Sequence, residues 1–396
     1  MTDDLLAAAR EIQQRTVALR RVLHRQPETG LTLPITRRAV LDELSDLDLE
    51  VTTSSSTSAV VATLSGGSAG PTVLLRADMD GLPLCEDTGL DFASETGETM
   101  HACGHDTHTA MLAGAARLLT ARRDRIAGRV AFFFQPGEEG YFGAQLALDE
   151  GLLDFADVAG AFALHISTGA PSGTVAVRAG AQLAAGDQFR VTVRGQGGHG
   201  SMPHLAADPI PVACEIVTAL QAVMTRRVSP FQPAVLTVAH ISAGTTTNVI
   251  PSDAWFEGTI RTFDETVRTA VHEQVRRVAE GIAGAHGMTA EVEIRPGYPV
   301  TLNDPASADR VHRVAAGLLG ADRSELMPEP VMASEDFSFI LQRYPGAIAF
   351  LGGCPPDDTP ETAPRNHSDL VVFDEGAMVA GVATYAGLAV DVLGSA

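Results

Sequence analysis

Apolar residues recur along the chain with two different periods, and these periods predict its elements. Spacings of three and four residues indicate helices, whereas continuous apolar runs indicate strands that are buried on both faces. The helices are predicted over 3–25 and 34–47, and the strands over 60–64, 72–79, 129–135 and 158–166. Strands that follow and precede helices in this way predict a layered α/β domain.

From about residue 186 the pattern changes to strands with one exposed face, of which FRVTVRG (189–195) is typical. The elements predicted there are strand 189–195, helix 207–227, strands 234–241 and 255–263, helix 265–286 and strand 289–296. This β-α-β-β-α-β order is that of the ferredoxin-like fold. The α/β pattern then resumes through 304–320, 334–343, 347–353 and a final helix over 374–393. We therefore predict one α/β domain over 1–185 and 297–396, interrupted by an inserted α+β domain over 186–296.

Composition narrows the class of protein. A chain of 396 residues with 45% hydrophobic and 19% charged residues is typical of a globular protein with two domains. Its net charge of −21 argues against nucleic acid or an anionic membrane as a partner. We see no signal pattern at the N-terminus and no run near the roughly 20 apolar residues that a membrane span needs. The expected location is the cytoplasm.

The residue types that are present limit the chemistry. Four cysteines, at 85, 103, 214 and 354, are far apart and do not form a disulfide framework. All 28 basic residues are arginine, so lysine Schiff bases and P-loop phosphate binding are excluded. Any catalysis must depend on His, Cys, Asp, Glu, Arg or a metal ion.

One short stretch, MHACGHDTHTAML (100–112), concentrates groups that bind metals. It contains His101, Cys103, His105, Asp106 and His108. Side chains at i and i+2 of an extended loop point the same way, so Cys103 and His105 could reach one ion. We expect Asp106 or Thr107 to cap the helix that follows. The alternatives are a reduced cysteine with unrelated histidines near a helix start, and a redox site, for which no second cysteine is near in sequence.

Three further segments carry candidate groups. QPGEEG (135–140) places Glu138 and Glu139 in a turn after a predicted strand, where two adjacent carboxylates repel each other unless a cation or proton lies between them. His165 lies at the end of another strand, where functional residues of parallel sheets gather. His367 lies in NHSD (366–369), a polar turn before the last helix. The alternatives are a solvated acidic turn, a core histidine and an ordinary turn residue.

Taken together and in order, HACGHD, QPGEEG, a strand-end histidine, GGHGSMPH, NVIP, SEDFS and NHSD resemble a known family. The family is the amidohydrolase branch of the aminoacylase/carboxypeptidase G superfamily, which includes N-acyl-amino-acid amidohydrolases, hippurate hydrolases and indole-acetyl-amino-acid hydrolases. The match extends from RADMDGLPL (76–84) to NHSDLVVFDE (366–375), nearly the whole chain. It is the joint order of the motifs that is specific.

The resemblance implies a dinuclear metal centre and roles for particular residues. The implied metal ligands are Cys103, which would bridge the ions, His105, Glu139, His165 and His367. Glu138 would be the general base, and Asp80 would support the centre from behind the ligands. The inserted domain would serve as lid and dimerisation module, and it would offer His199, Asn248 and Arg261 to the substrate. In relatives this histidine can come from the partner subunit, so we expect a homodimer or a higher homo-oligomer.

These roles are chemically consistent. Two divalent cations can acidify water and polarise an amide carbonyl, and a carboxylate that binds no metal, Glu138, can carry the proton to the leaving amine. His199 could donate to the oxyanion, and Arg261 could bind the free carboxylate of an amino acid; the alternatives are a loop histidine and a solvated arginine. A thiolate ligand favours zinc, whereas the His/carboxylate set suits manganese.

We therefore predict a dinuclear metal-dependent amidohydrolase that cleaves N-acyl amino acids, small-molecule substrates, to a carboxylic acid and a free amino acid. One alternative is a dipeptidase, a carboxypeptidase or a deacetylase of an N-acetylated amino-acid intermediate. Another is a non-catalytic metal-binding protein, against which the presence of Glu138 argues. Thr247, Tyr141 and Phe142 replace the usual residue types of the family. For that reason the acyl and amino-acid preferences do not follow from the resemblance.

Overall fold

The computed structural model describes residues 4–394, which divide into two compact units. The first unit comprises the residues up to Gln182, Leu302–Glu329 and the residues from Asp336 onward, and the second comprises Leu183–Thr301 and Pro330–Glu335. The longer segment of the second unit begins three residues before the predicted start of the inserted domain, 186. It ends five residues after the predicted end, 296. The short segment Pro330–Glu335, which the sequence pattern placed in the first domain, clusters with the second unit.

The helices of the first unit surround a mixed sheet. They are α1 (Leu5–Glu11), α2 (Gln13–Arg25), α3 (Pro34–Leu44), α4 (His105–Thr120), α5 (Gly143–Asp149), α8 (Pro305–Leu319), α9 (Phe337–Arg343) and α10 (Met378–Leu393). The strands are β1 (Glu50–Thr53), β2 (Val60–Ser65), β3 (Ser68–Asp78), β4 (Ala127–Gln135), β5 (Val158–Pro171), β6 (Val175–Val177), β7 (Gly180–Leu183), β14 (Thr301–Asn303), β15 (Ser324–Leu326) and β16 (Gly346–Cys354). Strands β7 and β14 pair with each other in a separate two-stranded sheet.

Eight of these strands form one sheet in the order β1-β2-β4-β3-β5-β16-β6-β15. Its four central strands, β4, β3, β5 and β16, run parallel to one another. They are the continuous apolar runs of the sequence, and side chains such as Phe132, Leu75 and Phe162 are fully buried in them. Parallel strands end at the same edge of a sheet, so the carboxyl ends of these strands lie together, where sites of α/β sheets form.

Helix α10 is the most apolar helix of the fold. Among the described residues, Glu375–Leu393 is long and apolar enough to cross a membrane, a property that the sequence analysis overlooked. In the fold, 78% of its apolar window is buried. It packs against α1, α4 and α8, as a core helix does.

The second unit has a four-stranded antiparallel sheet and two long helices. Its elements are β8 (Ala185–Arg194), β9 (Gly198–His199), α6 (Pro209–Arg226), β10 (Ala234–Ala243), β11 (Val249–Ile250), β12 (Asp253–Thr262), α7 (Glu265–Ala285) and β13 (Thr289–Arg295). The strand order is β10-β12-β8-β13, and β9 pairs separately with β11. This is the predicted ferredoxin-like arrangement, so the fold class is confirmed.

Some local predictions were wrong. The helix predicted over 3–25 is divided at Ile12 into α1 and α2. Helix α4 begins at His105, and its N-cap is Gly104 rather than Asp106 or Thr107. Gly104 has a φ of 88°, a left-handed conformation that glycine adopts without a steric cost. Asp106 lies in the first turn of α4, where its carboxylate is bound by side chains of α2.

Candidate metal centre

The last loop residue before Gly104 and the first residue of α4 are two of the predicted ligands. Cys103 and His105 lie on either side of Gly104. A Cβ atom at position 104 would lie 2.4 Å from Cγ2 of Ile166, so only glycine allows the loop to approach strand β5 this closely. The left-handed glycine therefore brings Cys103 and His105 against β5 at Ile166. The prediction that His165 ends its strand was wrong, because β5 continues to Pro171.

The other three predicted ligands come from separate parts of the first unit and meet at this loop. Glu139 lies in the turn after β4, His165 lies on β5, and His367 lies in the loop before α10. Sγ of Cys103 is 3.4 Å from Nε2 of His165 and 3.2 Å from Nε2 of His367. Nε2 of His367 is 3.3 Å from Oε1 of Glu139.

The structure brings these residues together as overlapping triplets whose donor atoms lie within 4.8 Å of one another. Three triplets consist only of predicted ligands and the predicted base: Cys103, His105 and His165; Cys103, Glu139 and His367; His105, Glu138 and Glu139. All five predicted ligands and Glu138 thus form one continuous cluster at the carboxyl edge of the parallel strands.

Asp80 lies directly behind the cluster and fixes the acidic turn. Its two carboxylate oxygens accept the backbone N–H groups of Glu138 and Glu139, each over 3.0 Å. Its Oδ1 also lies 3.5 Å from Nδ1 of His105. A single buried carboxylate therefore holds the turn that presents both glutamates and faces the ring of His105.

Hydrogen bonds set the proton positions on two of the histidines. Nδ1 of His165 donates to the carbonyl oxygen of Ile166 over 2.9 Å, which places the lone pair of the neutral ring on Nε2, the atom near Cys103. His108 uses both nitrogens: Nδ1 donates to Asp78 over 2.6 Å, and Nε2 accepts the N–H of Ile166 over 2.7 Å. His108 therefore joins α4 to two strand ends and is not available as a ligand.

The cluster contains groups that hold negative charge. Burial raises the pKa of the Cys103 thiol, but electrostatic interaction with the imidazoles of His165 and His105 outweighs burial and lowers it to about 5. Hydrogen bonds with Cys103 and Glu139 raise the pKa of His367 to about 10. Burial raises the pKa of Glu139, yet its hydrogen bond with His367 contributes to a net lowering. A thiolate and a carboxylate thus attract positive charge to one point.

The donor atoms fit divalent metal ions. Within residues 4–394, neither ring nitrogen of His105 makes a hydrogen bond, although both atoms are buried and the nearest carboxylate oxygens, of Asp80 and Asp78, are 3.5 and 3.6 Å away. Buried polar atoms are normally paired, so such atoms in a cluster point to a missing partner. Thiolate, imidazole and carboxylate groups are the usual ligands of zinc and of similar transition-metal ions.

The sequence analysis missed a buried network beneath the cluster. Nη1 of Arg76 donates to Asp78 over 2.7 Å, Nη2 donates to Asp336 over 2.9 Å, and Nε donates to Gln135 over 2.8 Å. Asp336 also accepts the N–H of Ala144, at the start of α5, over 2.9 Å. The motifs RADMD and SEDFS supplied these residues, but no spacing rule connects positions so far apart in the chain.

His367 is held in place by two features of the loop before α10. The amide of Asn366 donates to the carbonyl oxygens of Cys103 and Ile166, over 3.1 and 2.9 Å. His367 itself has a φ of 72°, a left-handed conformation that is strained for a residue with a side chain. Such strain persists where the surrounding structure imposes it, and it is common at functional sites.

The residues predicted to contact the substrate lie in the second unit. His199 on β9 pairs with Val249 on β11, and the N–H of Gly200 donates to the carbonyl oxygen of Asn248 over 2.9 Å, so His199 and Asn248 are neighbours. The N–H of Ser201 donates to Nδ1 of His199 over 3.1 Å. In the neutral ring this leaves the proton on Nε2, which makes His199 a hydrogen-bond donor at its outer nitrogen.

Arg261 lies at the opposite end of the same unit. It is on β12, opposite Gly186 at the start of β8, whereas β9 follows the other end of β8 at Arg194. Arg194 lies eight positions after Gly186, which corresponds to about 26 Å of strand. The second unit therefore does not bring Arg261 together with His199.

Comparison with known proteins is consistent with this geometry. The family described as peptidase family M20/M25/M40 matches residues 74–391. A thermostable carboxypeptidase of Saccharolobus solfataricus is 38% identical over 98% of this chain and 98% of its own length. An N-acyl-L-amino acid amidohydrolase of Geobacillus stearothermophilus is 39% identical over 74% of this chain and 79% of its own length.

A solved structure shares the fold. It is that of a dinuclear metal-binding peptidase of the M20 family from Bacillus subtilis, which is 34% identical, with a TM-score of 0.84. The similarity covers 97% of this chain and 99% of that chain.

Proposed function

The chain belongs to peptidase family M20/M25/M40 and is a metal-dependent amidohydrolase, and we propose that it cleaves N-acyl amino acids to a carboxylic acid and a free amino acid. The observation that carries this proposal is the cluster of Cys103, His105 and the two glutamates at the carboxyl edge of the parallel strands. It holds metal-binding donors and, beside them, a further carboxylate.

We assign the metal ligands as Cys103, His105, Glu139, His165 and His367. These residues would hold two divalent ions, which would acidify water and polarise the scissile amide carbonyl. Cys103 lies between His165 and His367, 3.4 and 3.2 Å from their nitrogens, which suits a residue that bridges two ions. We propose zinc as the preferred metal because of the thiolate, with manganese as the alternative because of the other donors.

Glu138 is proposed as the general base. Its side chain is 6% exposed, and its carboxylate lies within 4.8 Å of donor atoms of His105 and Glu139. The hydrogen bond from its backbone to Asp80 fixes the turn. In this role Glu138 takes a proton from water and delivers it to the nitrogen of the leaving amine, so that the amine leaves neutral.

His199, Asn248 and Arg261 are proposed to bind the substrate: Nε2 of His199 donates to the carbonyl oxygen as it gains charge, and Arg261 binds the α-carboxylate. An N-acyl amino acid has about the length of two residues, roughly 7 Å. About 26 Å of strand β8 separates the level of Arg261 from that of His199 within one unit. One substrate can therefore contact both only if they come from different copies of the chain.

We propose a homodimer on this basis. The edge strand β10 of the second unit supports it, since Val235 and Ile241 on this strand are 43% and 51% exposed. Exposed edge strands with apolar side chains pair readily with another strand.

The cytoplasm is the proposed location, because all four cysteines are free, as in a reducing compartment.

A second activity is favoured by one observation, the 38% identity with a thermostable carboxypeptidase. A carboxypeptidase also cleaves an amide next to a free α-carboxylate, so the same residues serve, and only the group on the acyl side differs. The Tyr141 and Phe142 pair, next to the glutamates, lies where acyl-side selectivity could arise.

The test combines metal analysis with a substrate panel. The purified enzyme is expected to contain about two zinc or manganese ions per chain and to lose activity on chelation. The panel comprises N-acetyl, N-benzoyl and N-indoleacetyl amino acids and dipeptides, each assayed for the released amino acid. Turnover of dipeptides but not of N-acyl amino acids would favour the carboxypeptidase, and no turnover of either class by metal-loaded protein would overturn the proposal.

A further inference from the structure

Arg365 is a cation beside the metal centre that the proposed mechanism does not use. It is exposed, and its guanidinium makes no hydrogen bond or ion pair within the described part of the chain, residues 4–394. Its neighbour Asn366 is anchored to two backbone carbonyl oxygens. The backbone at Arg365 is therefore fixed by the same contacts that present His367.

The guanidinium of Arg365 lies over strand β5. Its Nη1 is 2.4 Å from the point that a Cβ atom at Gly169 would occupy, and Oγ of Ser167 is 3.3 Å from the same point. His165, Ser167 and Gly169 alternate with the buried residues Ile166 and Thr168, so these three face the same way. His165, Ser167 and Gly169 thus form a strip on one face of β5. A proposed metal ligand, His165, lies at one end of this strip, and Arg365 lies over the other end.

The strip also has an apolar part. Phe350 on β16 is the register partner of His165, and the two ring centroids are 6.0 Å apart. Phe350 is half-buried, whereas its neighbour Leu351 is buried. From the centre outward, the surface of the first unit therefore offers metal ligands, an aromatic side chain, a hydroxyl group and then a cation.

The position of Arg365 relative to the metal centre limits which group of a substrate it can bind. Gly169 lies four residues along the strand from His165, about 13 Å. The α-carboxylate of an N-acyl amino acid lies within one residue length, about 3.5 Å, of the scissile bond. Arg365 thus lies beyond that carboxylate, and its exposed side chain can turn back along the strip to an anionic group a few bonds further out.

We propose that Arg365 is a specificity-determining residue that binds a second, distal carboxylate of the substrate, so that the enzyme prefers N-acyl amino acids carrying two acidic groups. The distal carboxylate belongs either to the acyl chain or to the side chain of the released amino acid. A guanidinium binds a carboxylate through two parallel hydrogen bonds, which a neutral amide cannot replace. This proposal rests on the proposed amidohydrolase function.

The experiment compares acids with their uncharged amides. One pair, N-acetyl-L-glutamate and N-acetyl-L-glutamine, places the distal group on the amino acid. The other pair, N-glutaryl-L-alanine and its terminal amide, places it on the acyl chain. Wild type, Arg365→Gln, Arg365→Lys and the control Arg129→Gln are assayed on all four. Arg129 has the same charge, but it lies on β4 six residues before Gln135, far from the glutamate turn.

In at least one pair, Arg365→Gln is expected to lower kcat/KM for the acid about tenfold, the effect of one charge-assisted hydrogen bond, and to leave the amide unchanged. Arg365→Lys should retain part of the preference, and Arg129→Gln should change neither member. The pair that responds identifies the carbon chain that carries the distal group.

Equal losses on acid and amide, or no loss on either acid while amides are turned over, would overturn the assignment of Arg365. The same holds if Arg129→Gln reproduces the loss, because the effect would then come from net charge. Failure of the wild-type, metal-loaded enzyme to hydrolyse any of the four substrates is a different result: it would contradict the proposed function itself.

Discussion

At the scale of single residues, Glu138 and Glu139 are neighbours with different surroundings. Oε1 of Glu139 faces the ring of His367 at 3.3 Å, whereas Glu138 shares a triplet with His105 and Glu139. Asp80 fixes the backbone of both, so replacing one side chain should leave the turn in place. The two carboxylates can therefore be assigned separately by mutation.

We expect Glu138→Gln to retain its metal ions and to lower kcat by about 10²–10⁴, because an amide of the same shape cannot accept a proton. Metal content by mass spectrometry and steady-state kinetics on the best panel substrate measure the two effects. Near-normal kcat, or loss of metal, would contradict the assignment of Glu138 as base.

Unlike Glu138→Gln, the variant Cys103→Ser should lose metal affinity. Because the Cys103 thiol has a pKa of about 5 and lies close to His165 and His367, we expect its loss to weaken metal binding at least 10–100-fold. The affinity is measured by competition with a chelator of known strength. Unchanged affinity would remove the thiolate from the centre.

At the scale of elements, the start of α4 depends on the left-handed conformation of Gly104. Gly104→Ala adds a methyl group 2.4 Å from Cγ2 of Ile166 in addition to the backbone strain at φ 88°. We expect the loop to move, with a loss of metal affinity of at least tenfold and a lower melting temperature.

Gly97→Ala is the matched control, since Gly97 has a similar φ of 74° but nothing lies within 4 Å of its Cβ position. Both variants introduce left-handed strain, and only Gly104→Ala introduces a collision at the ligand loop. If both variants bind metal like wild type, the close approach of Gly104 to β5 does not position the ligands.

Another element-scale interaction joins β8 to α7 in the second unit. Asp187 is buried and accepts hydrogen bonds from Arg268 and His272. Burial raises the pKa of Asp187, but these hydrogen bonds outweigh burial and lower it. A carboxyl group with a folded-state pKa below its unfolded value of about 3.9 stabilises the fold above that pH, and the stabilisation is lost as the pH falls through the folded-state pKa.

We therefore expect Asp187→Asn to destabilise the protein by about 3 kcal/mol at pH 7, since it leaves Arg268 without its buried partner. The difference in melting temperature from wild type should shrink as the pH is lowered from 5 to 3. Asp253→Asn, at a half-buried position of the same sheet where the side chain is 43% exposed, is the control and should change little. A difference for Asp187→Asn that is constant with pH would mean that the ion pair does not account for the stability.

The elements that the sequence predicts best are those with long periodic patterns. The apolar runs that became β4 and β5, and the β-α-β-β-α-β order of the second unit, were predicted because burial imposes the pattern directly. The short elements β1, β6 and α5 were not predicted, since three to seven residues give no periodic signal. The cap of α4 was predicted wrongly because Asp106 accepts a hydrogen bond from Arg20 of α2, and the hydroxyl of Thr107 donates to the carbonyl oxygen of Gly104.

The candidate site likewise contains residues that sequence motifs predict and contacts that depend on tertiary structure. Cys103, His105, Glu139, His165 and His367 were selected from motifs, and the fold brings them together. By contrast, the pairing of Arg76 with Asp336, 260 positions apart, depends on tertiary structure alone. Likewise, nothing in the sequence distinguishes His108, which is committed to Asp78 and Ile166, from a histidine that binds metal.

At the scale of the whole molecule, the separation of His199 from Arg261 along β8 has a consequence for assembly. About 26 Å of strand lies between their levels, whereas a substrate spans roughly 7 Å. If both residues bind one substrate, a complete site needs two chains. Oligomers of this kind are commonly twofold symmetric, so each dimer would contain two composite sites.

This requirement predicts complementation between two inactive proteins. His199→Ala removes one oxyanion donor and should lower kcat about 10²–10³-fold, and Glu138→Gln removes the base. In a heterodimer of the two, one site combines the intact Glu138 of the first chain with the intact His199 of the second. Half of randomly paired dimers are heterodimers with one intact site of two, so activity should recover to about a quarter of the wild-type level. Coexpression with two different affinity tags isolates the heterodimer and verifies its composition. An isolated heterodimer with no more activity than its parents would mean that His199 acts within its own chain, and Arg261 would then have to reach the substrate from the partner chain.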